Sequence, residues 1–511
     1  MVVLGLGTVQ AGERETFDFG WTFKYYGLGV PEDISRPLMA DGCQPGHPIE
    51  HAVDGDPATR WCALNYNPGH FIRIAPDPTK AVDKLAIQWE KPQQKDVIVV
   101  LRNDEGRMER KEFKTEGETS VIPVGGKKLT NIEIKIVGGT DKRAWASITE
   151  LAMYDAEGNK VGLGQAFPVD APAQPDYPAV GYRKVQLPHD WAIESPFLKE
   201  EPNETGKLPW NGYGWYRKSF EIPAGFDPAK DRYYLDFDGV MSNPKVYVNG
   251  KLAGQWAYGY NAFRVDITPF LKAGENLVAV VANNKALSTR WYPGAGIYRH
   301  VWLEKTGPAH IDYNGVFVTT PQISKESATV EVKTTVVNTG DKPATLTVQA
   351  SLVKTKDSAA TPVEVTLAPG ESKEVTQHIT MADPHLWDCD MPYLYTVETR
   401  VLENGETIDT KETRFGVRTI EWKPDGFYLN GKRVQLKGVC EHHDLGPLGT
   451  AFHERAYERK IEKLKAMGCN SIRMTHNPPA TEVLDLCDKH GILVIDELFD
   501  IWQYQKYDKV N

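Results

Sequence analysis

The chain has 511 residues, several times the size of one folding unit, so we expect two to four domains. Hydrophobic residues make up 41% and charged residues 25% of the sequence, a composition that excludes a largely disordered chain. Lysine and arginine number 59 against 69 acidic residues, and the resulting net charge of −10 makes nucleic acid a poor partner.

The chain opens with MVVLGLGTVQA, a short apolar stretch followed by small residues. This order is typical of the end of a secretory signal peptide, so we assign residues 1–12 to a signal remnant and expect a periplasmic or secreted protein. No run approaches the roughly 20 apolar residues of a membrane-spanning helix, so membrane insertion is not expected.

From there to about residue 420, short runs alternate apolar and polar residues, as in RYYLDFDGV, KVYVNGK, NLVAVVANN and YTVETRVLEN. Turn residues interrupt these runs every eight to twelve positions or so, a pattern that indicates antiparallel β-sandwiches.

Six cysteines are too few for a disulfide framework in a chain of this length. Cys43 and Cys62 lie close enough in sequence to pair in an oxidising compartment. Cys440, Cys469 and Cys487 lie among apolar segments, where we expect buried free thiols.

The pattern changes after about residue 425. Residues 433–438 (RVQLKG), 471–474 (SIRM) and 492–497 (ILVIDE) have the composition of strands. Between them lie two predicted helices, one with Tyr457, Ile461 and Leu464 on one face before Gly468, the other with Val483, Leu484 and Cys487 on one face before Gly491. This β-α-β-α-β series predicts a parallel sheet with crossover helices. Three such strands leave an open edge whereas eight close a barrel, so we expect the sequence to be truncated.

Several separated motifs, in order, resemble glycoside hydrolase family 2, which contains β-galactosidases, β-glucuronidases and β-mannosidases. FDFGWTFKYYG, VQLPHDWAIESPF, GYGWYRKSF and RWYPGAGIYRHVWL are similar to the family's sugar-binding jelly-roll domain, here residues 13–35 and 161–306. Residues 307–416 resemble its immunoglobulin-like sandwich. Residues 417–511, with GVCEHHDLGPLG, RMTHNPP and ILVIDELFDIW, resemble the first part of its (β/α)8 TIM barrel. The resemblance implies a mainly β, multidomain fold.

The remaining segment, residues 36–160, resembles a discoidin-type (F5/8 type C) carbohydrate-binding module through AVDGDPATRWCA and SITELAMYDAEG. We expect it to be inserted into the jelly-roll domain after that domain's first strand. Such modules often hold a structural Ca²⁺ with oxygen ligands, and Asp54, Asp56, Thr59 and Glu150 match those positions in kind. The alternative is that Asp54, Gly55 and Asp56 only form a tight turn.

Retaining hydrolysis of a β-glycoside needs two carboxyl groups about 5 Å apart, one as acid/base and one as nucleophile. In the resembled family both are glutamates on later barrel strands, the acid/base within an Asn-Glu pair, and no such pair follows Cys440. Asp496 and Glu497 cannot replace it, because neighbouring strand residues point to opposite faces. We therefore expect no catalytic residue in this chain, both glutamates beyond Asn511, and no hydrolysis by the chain alone.

The resemblance does imply part of the glycone pocket. Polar clusters follow the three barrel strands at their carboxyl ends, where the active sites of such barrels lie. His442 and His476 match histidines that bind sugar hydroxyls, and Arg473 matches an arginine that orients the nucleophile. The predicted substrate-binding set also includes Asn477, Asp496, Glu497 and Trp502, with Arg290 and Trp291 from a sandwich loop. That loop either clamps the sugar or only braces the domain interface.

No zinc spacing such as H-x-x-x-H is present, and LFDIWQYQ departs from the magnesium site of some β-galactosidases, so we expect no catalytic cofactor. For the complete protein we predict an exo-acting, retaining β-galactosidase whose substrates are β-galactoside oligosaccharides or polysaccharides, and which could form homo-oligomers. The alternatives are a β-glucuronidase of the same family, a non-catalytic carbohydrate-binding protein, and a chain that pairs with a separately encoded remainder.

Overall fold

The computed structural model describes residues 12–500 except for short gaps at 28–36, 41, 66–68, 92–94, 104–107, 140–144, 165–169, 180, 196, 198, 200–207, 209–211, 285–288, 290 and 354–358. The predicted signal remnant, apart from Gly12, and the predicted site residues Arg290 and Trp502 lie outside the described residues. The described residues form 32 strands and two α-helices, so the predicted mainly β fold is confirmed. Neither of the helices within these ranges is long and apolar enough to cross a membrane.

The first unit begins with strands β1 (Glu13–Thr16) and β2 (Trp21–Gly27). The chain then builds an inserted unit from nine strands, which are β3 (Leu38–Ala40), β4 (Trp61–Cys62), β5 (His70–Ile74), β6 (Ala81–Trp89), β7 (Lys95–Asn103), β8 (Met108–Lys114), β9 (Thr119–Gly139), β10 (Ser147–Tyr154) and β11 (Lys160–Val161). The insertion therefore follows the second strand of the first unit rather than the first strand.

The long strand β9 belongs to both sheets of the inserted unit. Its first part pairs with β6, which continues to β10 and β11, and its second part pairs with β5 and β7. Gly125 and Gly126 lie at the register shift within the first part, between Pro123 and Lys127, and have φ angles of 89° and 65°, a left-handed conformation that glycine adopts without steric cost. A core that includes Trp61 and Trp89 lies between the sheets. The unit is a β-sandwich, and its assignment as a discoidin-type module stays a prediction.

The chain returns to the first unit with β12 (Arg183–Val185), which pairs with β2. The unit is completed by β13 (Gly212–Ile222), β14 (Arg232–Phe237), β15 (Lys245–Val248), β16 (Lys251–Gln255), β17 (Phe263–Asp266), β18 (Gly274–Asn284) and β19 (Val301–Thr306). The sheet β12-β2-β13-β18-β15-β16 packs on the sheet β1-β19-β14-β17. This first unit is the predicted jelly-roll domain. Along β15, Val246 and Val248 enter this core while Tyr247 packs on the other face, as strand alternation requires.

The second sandwich contains β20 (Ala309–Ile323), β21 (Ser327–Asn338), β22 (Ala344–Leu352), β23 (Val363–Leu367), β24 (Ser372–Ala382), β25 (Tyr395–Glu403) and β26 (Glu406–Phe415). Its sheets are β20-β21-β24 and β23-β22-β25-β26. Every second residue of β21 is buried, so the strand has one face in the core and one face outside. The immunoglobulin-like sandwich predicted from the sequence is confirmed.

The last unit opens with three short antiparallel strands, β27 (Ile420–Lys423), β28 (Gly426–Leu429) and β29 (Lys432–Arg433). A β-α-β-α-β series follows, made of β30 (Gly438–Glu441), α1 (Glu454–Ala466), β31 (Ser471–Met474), α2 (Thr481–His490) and β32 (Leu493–Asp496). Strands β30, β31 and β32 are parallel, so the predicted start of a barrel is confirmed.

Two details of the predicted barrel elements are wrong. The strand expected over residues 433–438 is not continuous, because Val434 and Leu436 pack against the cluster around Trp387 and the parallel strand begins only at Gly438. On α2 the buried face contains Leu486 instead of Leu484, since positions three and four residues after Val483 share its face. The predicted buried face of α1 and the left-handed Gly491 at the end of α2 are confirmed.

All six cysteines are free thiols, so Cys43 and Cys62 do not pair. Cys487 is buried, as expected, and burial raises the pKa of its thiol to about 12. Cys469 is only partly buried. Cys440 is exposed, contrary to expectation, because its side chain shares the sheet face of Arg473 and not the face covered by the helices.

Candidate functional site

The carboxyl ends of the three parallel strands meet at one edge of their sheet. The register pairs Glu441 with Met474 and Met474 with Asp496, so the residues that follow each strand lie side by side. His442 follows β30 and His476 follows β31, and their ring centroids are 5.6 Å apart. Glu441 itself forms an ion pair of 2.6 Å with Lys460 on α1.

Trp291 of the jelly-roll domain lies against both histidines. Its ring centroid is 5.1 Å from His442 with an interplanar angle of 26°, and 5.0 Å from His476 with an angle of 34°. Trp291 lies in the loop before β19, so one aromatic cluster joins the jelly-roll domain to the barrel edge. We call Trp291, His442 and His476 the ring cluster.

Glu497 is the polar centre of the site. Its Oε1 accepts hydrogen bonds from Nε (2.7 Å) and Nη2 of Arg473, and its Oε2 accepts one from the backbone N–H of His476 at 2.7 Å. Although partial burial opposes ionisation, these hydrogen bonds lower the pKa of the Glu497 carboxyl. His476 has a φ of 73°, a strained conformation held by this contact and by Asp500, whose Oδ1 is 3.3 Å from the imidazole Nδ1.

Other residues of the predicted set have different surroundings. Asn477 is 3% exposed and donates from Nδ2 to the carbonyl of Thr475 at 3.2 Å, so its amide is used inside its own turn. Asp496 is the last residue of β32, and partial burial raises the pKa of its carboxyl. Burial also lowers the pKa of His442, with a contribution from nearby His476, which favours the neutral imidazole.

Three residues at the site were not predicted. Tyr260 accepts a hydrogen bond from the indole Nε1 of Trp291 at 3.1 Å, and Tyr258 donates to the carbonyl of Leu498 at 2.9 Å. Asp500 contacts His476, as described above. The aromatic string QWAYGYNAF was the available signal for the two tyrosines, but only the fold shows that this jelly-roll loop reaches the barrel.

A buried carboxylate joins the loops behind the ring cluster. Asp190, which is 2% exposed, accepts hydrogen bonds from the hydroxyl of Tyr292 at 2.6 Å and from the backbone N–H of Thr450 at 2.9 Å. The jelly-roll loop that carries Trp291 is thus fixed to the barrel loop that follows His442. Next to this contact, His443 donates to the carbonyl of Pro293 at 3.1 Å.

The residues predicted to hold Ca²⁺ form one cluster in the inserted unit. The hydroxyl of Thr59 donates to both carboxylate oxygens of Asp54, at 3.0 and 2.8 Å, and the backbone N–H of Asp56 donates to Asp54 at 3.0 Å. Glu150 accepts from the N–H of Gly55 and pairs with Lys160 at 2.7 Å. Across the described residues, no group of three or more His, Cys, Asp or Glu side chains is placed to hold a metal ion. A cation here would compete with the Thr59 hydroxyl and the Lys160 ammonium group.

Three models of one protein family match consecutive parts of the chain. Residues 168–308 match the glycosyl hydrolases family 2 sugar binding domain, residues 309–418 match the glycosyl hydrolases family 2 model, and residues 420–504 match the family 2 TIM barrel domain.

Among curated proteins, the chain is 46% identical over 344 residues to "Beta-galactosidase BoGH2A" of Bacteroides ovatus, over 65% of this chain and 40% of that protein. It is 37% identical over 325 residues to a "Putative beta-glucuronidase" of Formosa agariphila, over 62% of this chain and 30% of that protein. The chain therefore spans less than half the length of either relative.

Among solved structures, a glycosyl hydrolase family 2 member from Bacteroides cellulosilyticus matches with a TM-score of 0.63 and 38% identity, over 66% of this chain and 45% of that chain. Bacteroides uniformis β-glucuronidase 2 matches with a TM-score of 0.58 and 28% identity, over 66% of this chain and 42% of that chain. The matched domains follow one another here as jelly-roll, immunoglobulin-like sandwich and start of a TIM barrel, and the chain belongs to glycosyl hydrolase family 2.

Proposed function

We propose that this chain supplies the glycone side of the active site of a retaining, exo-acting β-galactosidase. The ring cluster carries the proposal, because it combines an aromatic face with two imidazole edges at the carboxyl ends of barrel strands. An aromatic ring packs on the apolar face of a sugar, and imidazole nitrogens form hydrogen bonds with its hydroxyls.

The charges at the site favour a neutral sugar over a glucuronide. Arg473, the cation on β31, is already paired with Glu497. Asp496 and Asp500 add negative charge beside it. A glucuronate carboxylate beside Asp496 and Asp500 would therefore be repelled by their charges. The curated relatives include both activities, so β-glucuronidase is the second candidate.

In the proposed mechanism, residues of this chain bind and orient the sugar. Arg473 and Glu497 form a rigid pair that fixes His476, and we assign to Arg473 the additional task of orienting the nucleophile. Hydrolysis with retention needs an acid/base and a nucleophile about 5 Å apart. We assign these two groups to the part of the complete barrel that follows β32 in the protein.

An assay of the full-length gene product on a panel of aryl glycosides tests the proposal. We expect the nitrophenyl β-galactoside to be the preferred substrate, and His442→Ala to raise its KM or lower its kcat/KM at least tenfold. His378→Ala, on the exposed face of the second sandwich, is the matched control and should leave both constants unchanged. Dominant cleavage of the glucuronide would establish the second candidate, and cleavage of no glycoside would favour a binding protein.

We also propose a structural Ca²⁺ in the inserted unit, which oxygen atoms of Asp54, Asp56, Thr59 and Glu150 would hold once the Thr59 hydroxyl and the Lys160 ammonium group release the carboxylates that they contact in this structure. The support is that these four residues meet in one cluster. Thermal unfolding with Ca²⁺ and with a chelator should differ for the wild type and not for Asp54→Ala. Asp77→Ala, which removes a similar turn with Thr79, should retain the Ca²⁺ effect. An equal melting temperature of the wild type in both buffers would disprove the metal site.

A further inference from the structure

Residues 256–260 of the jelly-roll domain, here called the aromatic loop, lie in the connection between β16 and β17 and reach the barrel edge. The base of the loop is anchored in its own domain. The backbone N–H of Trp256 donates to the carbonyl of Pro244 at 3.1 Å, and its ring stacks on Phe263 with centroids 5.9 Å apart and an interplanar angle of 8°. The tip of the loop carries Tyr258 and Tyr260.

Tyr260 determines the orientation of Trp291. The Tyr260 hydroxyl accepts a hydrogen bond from Nε1 of Trp291 at 3.1 Å. This N–H is the single polar group of an indole. The Tyr260 ring is 6% exposed and packs edge to face on His443, with centroids 5.3 Å apart and an interplanar angle of 80°. A buried, packed hydroxyl thus fixes the rotation of the indole that packs against both His442 and His476.

The backbone of the aromatic loop is tied to the second strand end. The carbonyl of Tyr260 accepts a hydrogen bond from Nη1 of Arg299 at 2.9 Å, and Nη2 of the same guanidinium donates to the carbonyl of Pro478 at 2.8 Å. Pro478 lies two residues after His476. Arg299 is 3% exposed, so this bridge is shielded from water.

Tyr258 holds the segment that follows β32. Its hydroxyl donates to the carbonyl of Leu498 at 2.9 Å, and its ring packs on Phe499 at a centroid distance of 5.9 Å. Leu498 and Phe499 connect Glu497 to Asp500, and both of these acids contact His476. The aromatic loop therefore contacts residues that follow β30 and β32 directly, and it is linked through Arg299 to the segment that follows β31.

We propose that the aromatic loop is a positioning element of the glycone site, in which Tyr260 fixes Trp291 and Tyr258 fixes the segment after β32. The inference rests on the proposed function and deepens it. Both tyrosines affect sugar binding indirectly, through the positions of Trp291 and of the segment after β32. Removing one neutral hydrogen bond should weaken sugar binding about two- to tenfold while the chemical step keeps its rate.

The test compares Tyr260→Phe, Tyr258→Phe and Tyr428→Phe in the full-length gene product. Tyr428 is the matched control, since its hydroxyl donates to exposed Asp425 on the β27–β28 hairpin. The readouts are KM and kcat on the best aryl glycoside, and the ¹⁹F NMR signal of Trp291 in protein labelled with 5-fluorotryptophan. Trp291→Phe assigns that signal. The NMR readout requires no turnover, so it separates this inference from the identity of the substrate.

We expect Tyr260→Phe to shift or broaden the Trp291 signal and to raise KM two- to tenfold with kcat changed less than twofold. Tyr258→Phe should raise KM while the Trp291 signal moves less, and Tyr428→Phe should behave as the wild type. An unmoved Trp291 signal in Tyr260→Phe would overturn the inference whatever the kinetics. So would a loss of kcat at constant KM. If another glycoside proves to be the substrate, the same KM and NMR criteria apply to it.

Discussion

Replacing Asp190 with asparagine should loosen the junction between the jelly-roll domain and the barrel. The Oδ1 atom of Asp190 accepts hydrogen bonds from the backbone N–H groups of Ala192 and Ala295, both at 3.0 Å. The Oδ2 atom accepts from the Tyr292 hydroxyl at 2.6 Å and from the N–H and hydroxyl of Thr450 at 2.9 and 3.1 Å. One buried carboxylate thus satisfies five donors from three loops.

The size of the stability loss follows from the number of these hydrogen bonds that an asparagine at position 190 can retain. Its carbonyl oxygen can serve Ala192 and Ala295, and the two hydroxyls near Oδ2 can rotate to accept. The backbone N–H of Thr450 can only donate, so it would face the NH2 group of the asparagine and lose its acceptor. A hydrogen bond to a charged group contributes about 1.5–3 kcal/mol, and an unsatisfied buried donor costs a similar amount. Burial raises the pKa of Asp190, so the neutral amide recovers part of that cost. We expect a net loss of about 2 kcal/mol.

Hydrogen exchange measures this loss locally, which matters because a multidomain chain need not unfold in one step. A loss of about 2 kcal/mol should accelerate exchange of the Thr450 amide roughly 30-fold in Asp190→Asn. Asp425→Asn is the matched control, because Asp425 accepts from Tyr428 at an exposed position and should change nothing at Thr450. Unchanged exchange at Thr450 in Asp190→Asn would refute the view that this carboxylate joins the domains.

Three further predictions concern the same region. Gly294→Ala should lower the melting temperature by more than Gly370→Ala, because both glycines have a φ of 73° but only at Gly294 would the added Cβ lie 1.8 Å from the Thr450 hydroxyl oxygen; equal losses would contradict this. Burial lowers the pKa of His443 to about 3, so the unfolded chain binds a proton that the folded chain does not, and stability should fall as the pH decreases from about 6.5 towards 3. His443→Gln should flatten the melting curve against pH in that window, and a slope identical to wild type would exclude His443 as its source. Glu497→Gln should lower kcat/KM on the galactoside at least tenfold, since the amide cannot accept all three hydrogen bonds at this position; wild-type kinetics would show that the carboxylate is dispensable.

Much of the fold follows from local sequence patterns. The helical spacing of Tyr457, Ile461 and Leu464, and a glycine after each helix, predicted the crossover helices, because burial of one face and a left-handed end are local properties. The strand predicted at residues 433–438 failed because its alternation reflects burial against Trp387 of another domain, and the parallel ladder starts later. Alternation alone does not reveal the partner that causes it.

The candidate site was only partly predictable. The polar residues after each barrel strand could be placed together because parallel strands end at one edge of a sheet. The contact between Tyr260 and Trp291 joins residues of the jelly-roll domain that lie 31 positions apart, and neither residue carries a pattern that predicts a partner. Likewise, nothing local distinguishes Asp190 from an ordinary turn aspartate, since its donors Tyr292 and Thr450 lie 102 and 260 residues away.

The central claim is that one sugar pocket is built jointly by the jelly-roll loop and the barrel strand ends. A crystal structure of the full-length gene product with bound galactose tests it most directly. We predict a sugar ring packed beside Trp291, with hydroxyl groups within hydrogen-bonding distance of His442 and His476. Galactose bound in a catalytic pocket that none of these three residues touches would contradict the claim.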